Sequence, residues 1–152
     1  MKKILVILLV CTTFGCDTRN VKENNSKLEK ESQPIIDVFF DKLKSGNFRT
    51  ALSELLSNNE DIDMKDSATL NLESSFNSIN ALSGRFESKR FLRKKELGND
   101  VGVYVYLVKY EKKFYRFSFT FYNNDVEVKI YKFSFDDAID TELEEAIKLY
   151  VN

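Results

Sequence analysis

From residue 35 onward, apolar positions recur at helical spacing. Ile35, Ile36, Phe39, Phe40 and Leu43 lie one, three and four residues apart, so a helix gathers them on one face. Ser32 and Pro34 give that helix a start, because proline is tolerated in a first turn, and Gly46 gives it a stop. Asn47 can cap a second helix that turns Phe48, Leu52, Leu55 and Leu56 inward and leaves Arg49, Thr50, Ser53 and Glu54 in water. After the polar stretch SNNEDIDMKDSAT, Leu72, Phe76, Ile79 and Leu82 predict a third helix, ended by Gly84. From Arg85 the period changes to two. Tyr115, Phe117, Phe119 and Phe121 alternate with Arg116, Ser118 and Thr120, the pattern of a strand with one aromatic face. Val101 to Tyr110 is apolar on both faces and reads as a central strand, whereas the charged run Phe86 to Leu97 reads as an edge. Turns are expected near Glu111 to Lys113 and at YNND, Tyr122 to Asp125. The next strand, Val126 to Phe135, buries Val126, Val128 and Ile130 and then shifts parity to Tyr131, Phe133 and Phe135, as a one-residue bulge would cause. Thr141 with Glu144 forms a capping-box pattern for a short last helix carrying Leu143, Ile147 and Tyr150.

The beginning of the chain follows a different logic. Lys2 and Lys3 precede an apolar run from Ile4 to Val10, followed by small and polar residues up to Cys16. That run is far short of the ~20 residues a membrane-spanning helix needs, and its build is that of a secretory signal. Thr13 to Cys16, TFGC, resembles the bacterial lipobox, with glycine before the cysteine and Thr13 where Leu is usual. The resemblance implies removal of residues 1–15 and diacylglycerol attachment to Cys16, with further acylation of the new N-terminus. Two or three acyl chains anchor firmly where one is marginal, since each buried methylene contributes ~0.8 kcal/mol. The location implied is the bacterial cell envelope, at a membrane surface, with inner and outer membrane both open. Residues 16–31 are almost wholly polar and read as a disordered tether, leaving 32–152 as a single globular domain.

Composition narrows the chemistry of that domain. Apolar residues make up 43% of the 152, with thirteen Phe and seven Tyr, enough for one packed core. A net charge of −1 argues against a nucleic-acid partner, which calls for a basic excess. Both cysteines, Cys11 and Cys16, lie in the leader region, and there is no histidine. A thiol nucleophile, a soft metal site and a Ser-His triad are therefore excluded from the domain, and neither a metal nor a cofactor is implied.

Three helices followed by an antiparallel meander predict an α+β fold with the helices on one side of a curved, cone-like sheet. This order, with FFDKLKSGNFRTALSELL (Phe39 to Leu56), resembles the nuclear transport factor two-like superfamily, which includes ketosteroid isomerase. The likeness covers residues 32 to 135 and implies a cone with an interior pocket. Phe40, Phe76, Tyr104, Tyr106, Phe117 and Phe119 would line that pocket, or else fill it as core. The enzymatic members use a buried carboxylate, and no acid here takes that role: Glu87, Glu96, Glu111 and Glu127 fall at polar-face or turn positions. The basic run Lys89, Arg90, Arg93, Lys94 and Lys95 reads as a solvated edge, with anionic lipid as the alternative, and the acidic loop Asn58 to Asp66 lacks the glycine and terminal Glu of a calcium loop. By analogy with paired cones, Tyr104, Tyr106 and Tyr110 could support a homodimer. The expected function is a non-enzymatic, lipid-anchored envelope domain that binds a partner protein or supports an envelope process. A small apolar ligand in the aromatic pocket is the alternative, and a lyase or isomerase running on carboxylate and Tyr comes third.

Overall fold

The computed structural model describes residues 26–144. The leader, Cys16, most of the expected tether, Ile147 and Tyr150 lie outside the described residues. Three helices precede four strands: α1 (Lys27–Lys44), α2 (Phe48–Ser57), α3 (Ser67–Ser83), β1 (Phe86–Leu97), β2 (Val101–Tyr110), β3 (Phe114–Asn123) and β4 (Val128–Asp136). The strands form one antiparallel sheet in the order β1-β2-β3-β4, and a further helical turn opens at residue 140. The α+β class expected from the periodicity is the one observed. The charged β1 is an edge strand and the apolar β2 an interior one, also as expected.

Helix α1 begins at Lys27, ahead of the start expected at Ser32 and Pro34. Ser26 caps it, its hydroxyl accepting from the Glu29 N–H at 3.0 Å and donating to Glu96 on β1 at 2.7 Å. Leu28 is fully buried, seated where Gly102 on β2 leaves no side chain in the way. Residues 26–31, assigned to the tether from their polarity, thus belong to the folded unit. Pro34 lies inside the helix, where its missing N–H costs a backbone hydrogen bond. The first turn, docked through Ser26 and Leu28, carries the helix through it.

Helix α1 lies across all four strands and bears Ile36, Phe39, Phe40 and Leu43 on its buried face. Helix α2 packs on α1 through Ala51, Leu52, Leu55 and Leu56, and α3 follows with Phe76 and Ile79. Gly84 ends α3 at φ 79°, a conformation that favours glycine. Leu82, expected on the inner face of α3, is instead exposed, because Ile79 and Ser83 take the inner face of the last turn, where the Ser83 hydroxyl lies 2.6 Å from that of Tyr115 on β3.

Cross-strand registry arranges the inner side of the sheet in aromatic rows. Tyr106, Phe117 and Phe135 form one, and Tyr104, Phe119 and Phe133 the next. The bulge expected on the last strand is present: Thr120 pairs with Lys132 while Phe121 pairs with Ile130, which leaves Tyr131 as the extra residue. Tyr131 is consequently 67% exposed, not buried, and Val126, placed in the strand by its alternation, sits in the turn before it, 83% exposed. Asp125 supplies the positive φ, 71°, of that turn. The free edge of β4 is met by side chains: the Ile130 N–H donates to Asn58 Oδ1, and Asn59 Nδ2 donates to the Ile130 carbonyl, both at 2.8 Å.

Candidate functional site

The six residues expected to line a pocket divide into two groups. Phe40, Phe76, Phe117 and Phe119 are buried in the middle of the core, at most 2% exposed. Their rings meet one another, Phe40 with Phe119 at 5.7 Å between centroids, Phe40 with Phe117 at 6.3 Å and Phe76 with Phe117 at 6.0 Å. These are the distances of direct edge-to-face and offset contact. Phe39, which the pattern assigned simply to the helix face, is the hub: its ring contacts Phe40, Phe76, Phe117, Phe119 and Phe133. These residues occupy the heart of the domain as packing partners.

Tyr104 and Tyr106 are buried at their rings, but their hydroxyls reach a cleft of about 330 Å³ between α1 and β1. Glu29, Gln33, Asp37, Lys89 and Phe91 form its other walls. The Tyr106 hydroxyl donates to Gln33 Oε1 and the Tyr104 hydroxyl to Glu96 Oε1, each at 3.1 Å. Burial pushes both phenols above their ordinary value, so both are protonated donors at neutral pH. Lys89 Nζ lies 2.6 Å from Asp37 and 4.5 Å from the centroid of the Phe40 ring, an ion pair and a cation–π contact together. Lys94 pairs with Glu29 across the same cleft. Each acid at this cleft is therefore engaged by a partner from the domain itself, and the arrangement can offer hydrogen-bond donors and an aromatic floor but no acid poised for proton transfer.

Glu96 was placed on a polar face by its sequence context, yet it points to the helix side. The cause is a register shift between Phe91 and Arg93, which leaves Leu92 extra and reverses the parity of the rest of β1. Tyr104, Tyr106 and Tyr110, suggested as a pairing surface, face the helices and are buried, so the opposite side of the sheet presents Val101, Val103, Val105 and Leu107 on β2 instead. Of the basic run, Lys89 and Lys94 face α1, while Arg93 pairs with Glu142 from the segment after β4. The acidic loop serves its own backbone: Asp66 caps α3 at the Ala68 N–H, and Asp63 accepts from the Lys65 N–H. Among the described residues no three acids, cysteines or histidines are grouped to hold a metal ion, and no helix is long and apolar enough to cross a membrane.

No family model matches the sequence, and no curated protein matches it. Solved structures similar to the chain include a DUF4783 family protein from Bacteroides uniformis, 11% identical over 67% of this chain and 95% of that one, at a TM-score of 0.47. Another, from Thiobacillus denitrificans, is named for the calcium/calmodulin-dependent protein kinase type II association domain. It is 9% identical over 69% of this chain and 93% of that one, at a TM-score of 0.46. A third, an NTF2-like family protein from Streptomyces avermitilis named as a dehydratase, is 10% identical over 72% and 95%, at 0.47. Likeness at this level carries no inference about activity or ligand.

Proposed function

We propose that this chain is a bacterial envelope lipoprotein, held to a membrane by acyl chains on Cys16, whose α+β domain works by binding a partner protein through its surface and not by catalysis. The anchor rests on the ordered combination of Lys2 and Lys3, the apolar run Ile4 to Val10, and Gly15 before Cys16. Surface binding in preference to a small apolar guest is supported by one observation above all. The aromatic side chains that would line an interior pocket are in contact with each other.

Replacing Cys16 by Ala and fractionating the cells tests the anchor. The parent chain is expected in the detergent-requiring membrane fraction and the variant outside it. Retention of the Ala variant in that fraction to the same extent as the parent would contradict the proposal.

A further inference from the structure

Strand β1 is an edge of the sheet, and the start of α1 is fastened to it. The Ser26 hydroxyl donates to Glu96 at 2.7 Å, and Lys27 Nζ donates to Asn123 Oδ1 at 3.2 Å and to the Val126 carbonyl at 3.4 Å. The chain thus enters the domain beside the last residues of β1. Ten residues, 16–25, separate Cys16 from this point, and a chain of that length spans at most about 36 Å. An acyl group on Cys16 therefore keeps the end of β1 within that reach of a bilayer.

Positive charge collects on the same edge. From Glu87 to Leu97 every residue except Leu92 and Glu96 is exposed. Lys89 and Lys94 pair with Asp37 and Glu29 on α1, and Arg93 pairs with Glu142, which also accepts from Arg116 at 3.1 Å. Arg90 and Lys95 pair with no acid among the described residues. The acids of the strand are themselves engaged, Glu96 by Ser26 and Tyr104 and Glu87 by Lys109. Two large apolar side chains stand among the cations, Phe91 at 48% exposure and Leu97 at 63%. The turns next to Ser26 carry Asp100, Asp125 and Glu127, which an anionic surface repels, so the domain meets such a surface along β1 and not end-on.

We propose that the exposed β1 edge is a docking face for an anionic bilayer, on which Arg90 and Lys95 meet lipid phosphates while Phe91 and Leu97 enter the interfacial layer. The inference rests on the lipid-anchor reading, since the anchor brings the edge to the surface in advance and two uncompensated cations are then enough to set the orientation. A charged edge that only discourages strand pairing would instead be indifferent to the charge of the lipid.

The chain contains no tryptophan, so a single introduced one reports its own surroundings. Phe91→Trp and, on the opposite edge strand, Tyr131→Trp are compared in the acylated protein extracted from membranes and reconstituted into vesicles containing brominated lipid. The vesicles are phosphatidylcholine alone or a mixture with phosphatidylglycerol. Each position lies five residues along its strand from a contact of the α1 start, Glu96 or Val126, so the tether alone brings them equally near. On phosphatidylglycerol the Phe91→Trp signal is expected to be quenched about three-fold more than that of Tyr131→Trp. Salt at ~0.5 M, or Arg90→Gln with Lys95→Gln and an unchanged thermal transition, is expected to abolish the difference. Equal quenching at the two positions, stronger quenching of Tyr131→Trp, or a difference that persists on pure phosphatidylcholine would overturn the docking face. Native protein whose mass shows no acyl group on Cys16 would contradict the anchor by itself; the same comparison on residues 16–152, coupled through the Cys16 thiol to a maleimide lipid, then decides the docking face separately.

Discussion

Phe39→Ala is expected to cost ~3–5 kcal/mol, the range for emptying a buried aromatic site. Against a total stability on the order of 5–15 kcal/mol for a domain, that is enough to leave a large part of the chain unfolded at mild denaturant concentrations. The reason is specific to this residue. Its ring is 1% exposed and touches five others, two from the helices and three from the sheet, with centroids between 5.2 and 6.2 Å. Truncation removes these contacts at once and leaves a cavity that rings fixed on β3 and β4 cannot close without moving the sheet. Urea titration followed by far-ultraviolet circular dichroism measures the effect as a lowered midpoint at nearly constant slope. A midpoint shift equivalent to less than about 1 kcal/mol would mean that the surrounding rings relax into the space, and that the core is looser than its ring-on-ring geometry implies.

Leu28→Ala is expected to cost ~2–5 kcal/mol, although the residue lies in a run that reads as linker. Leu28 is fully buried, and a methyl group at Gly102 would come within 2.8 Å of it, so the helix start and the second strand are fitted to each other here. The neighbouring polar ties, Ser26 to Glu96 and Lys27 Nζ to Asn123 Oδ1 at 3.2 Å, orient the same turn. If residues 26–31 were part of the tether, the substitution would change stability by no more than about 0.5 kcal/mol, as for an exposed site. The same denaturation experiment separates the two outcomes.

How far the sequence foretold this fold depends on the kind of information involved. Periodicity is a local property, and it located the three helices and strands β3 and β4, because each buries one face with side chains of its own; β2 was legible from its continuous apolar run and β1 from its charge. Where a feature needs only one residue, or a partner remote in sequence, local pattern is silent. Leu28 is a lone apolar residue amid polar ones, and its value comes from Gly102, a strand residue without a side chain. The parity change in β4 announced a bulge. It did not say that Tyr131 would be the residue left over, since alternation shows that a phase slips but not which position absorbs it. Strand β2 is apolar on both faces, so no alternation could tell that Tyr104, Tyr106 and Tyr110 face the helices while Val103 and Val105 face away. Glu142 was invisible as a site residue because its partners, Arg93 and Arg116, lie 49 and 26 positions away. The aromatic set illustrates a further limit: the same Phe and Tyr pattern serves a lined pocket and a filled one, and only the ring-to-ring distances distinguish them.

Those distances and the lipobox-like TFGC at Thr13 to Cys16 together support the proposal that a solid-cored domain hangs from an acylated cysteine. The mass of the protein isolated from bacteria that make it, recorded under non-denaturing conditions, examines both halves in one spectrum. The expected species begins at Cys16, carries the added mass of a diacylglycerol with or without an N-acyl chain, and holds no stoichiometric small guest. A chain that still bears its leader, an unmodified Cys16, or a bound apolar molecule at one per domain would contradict it.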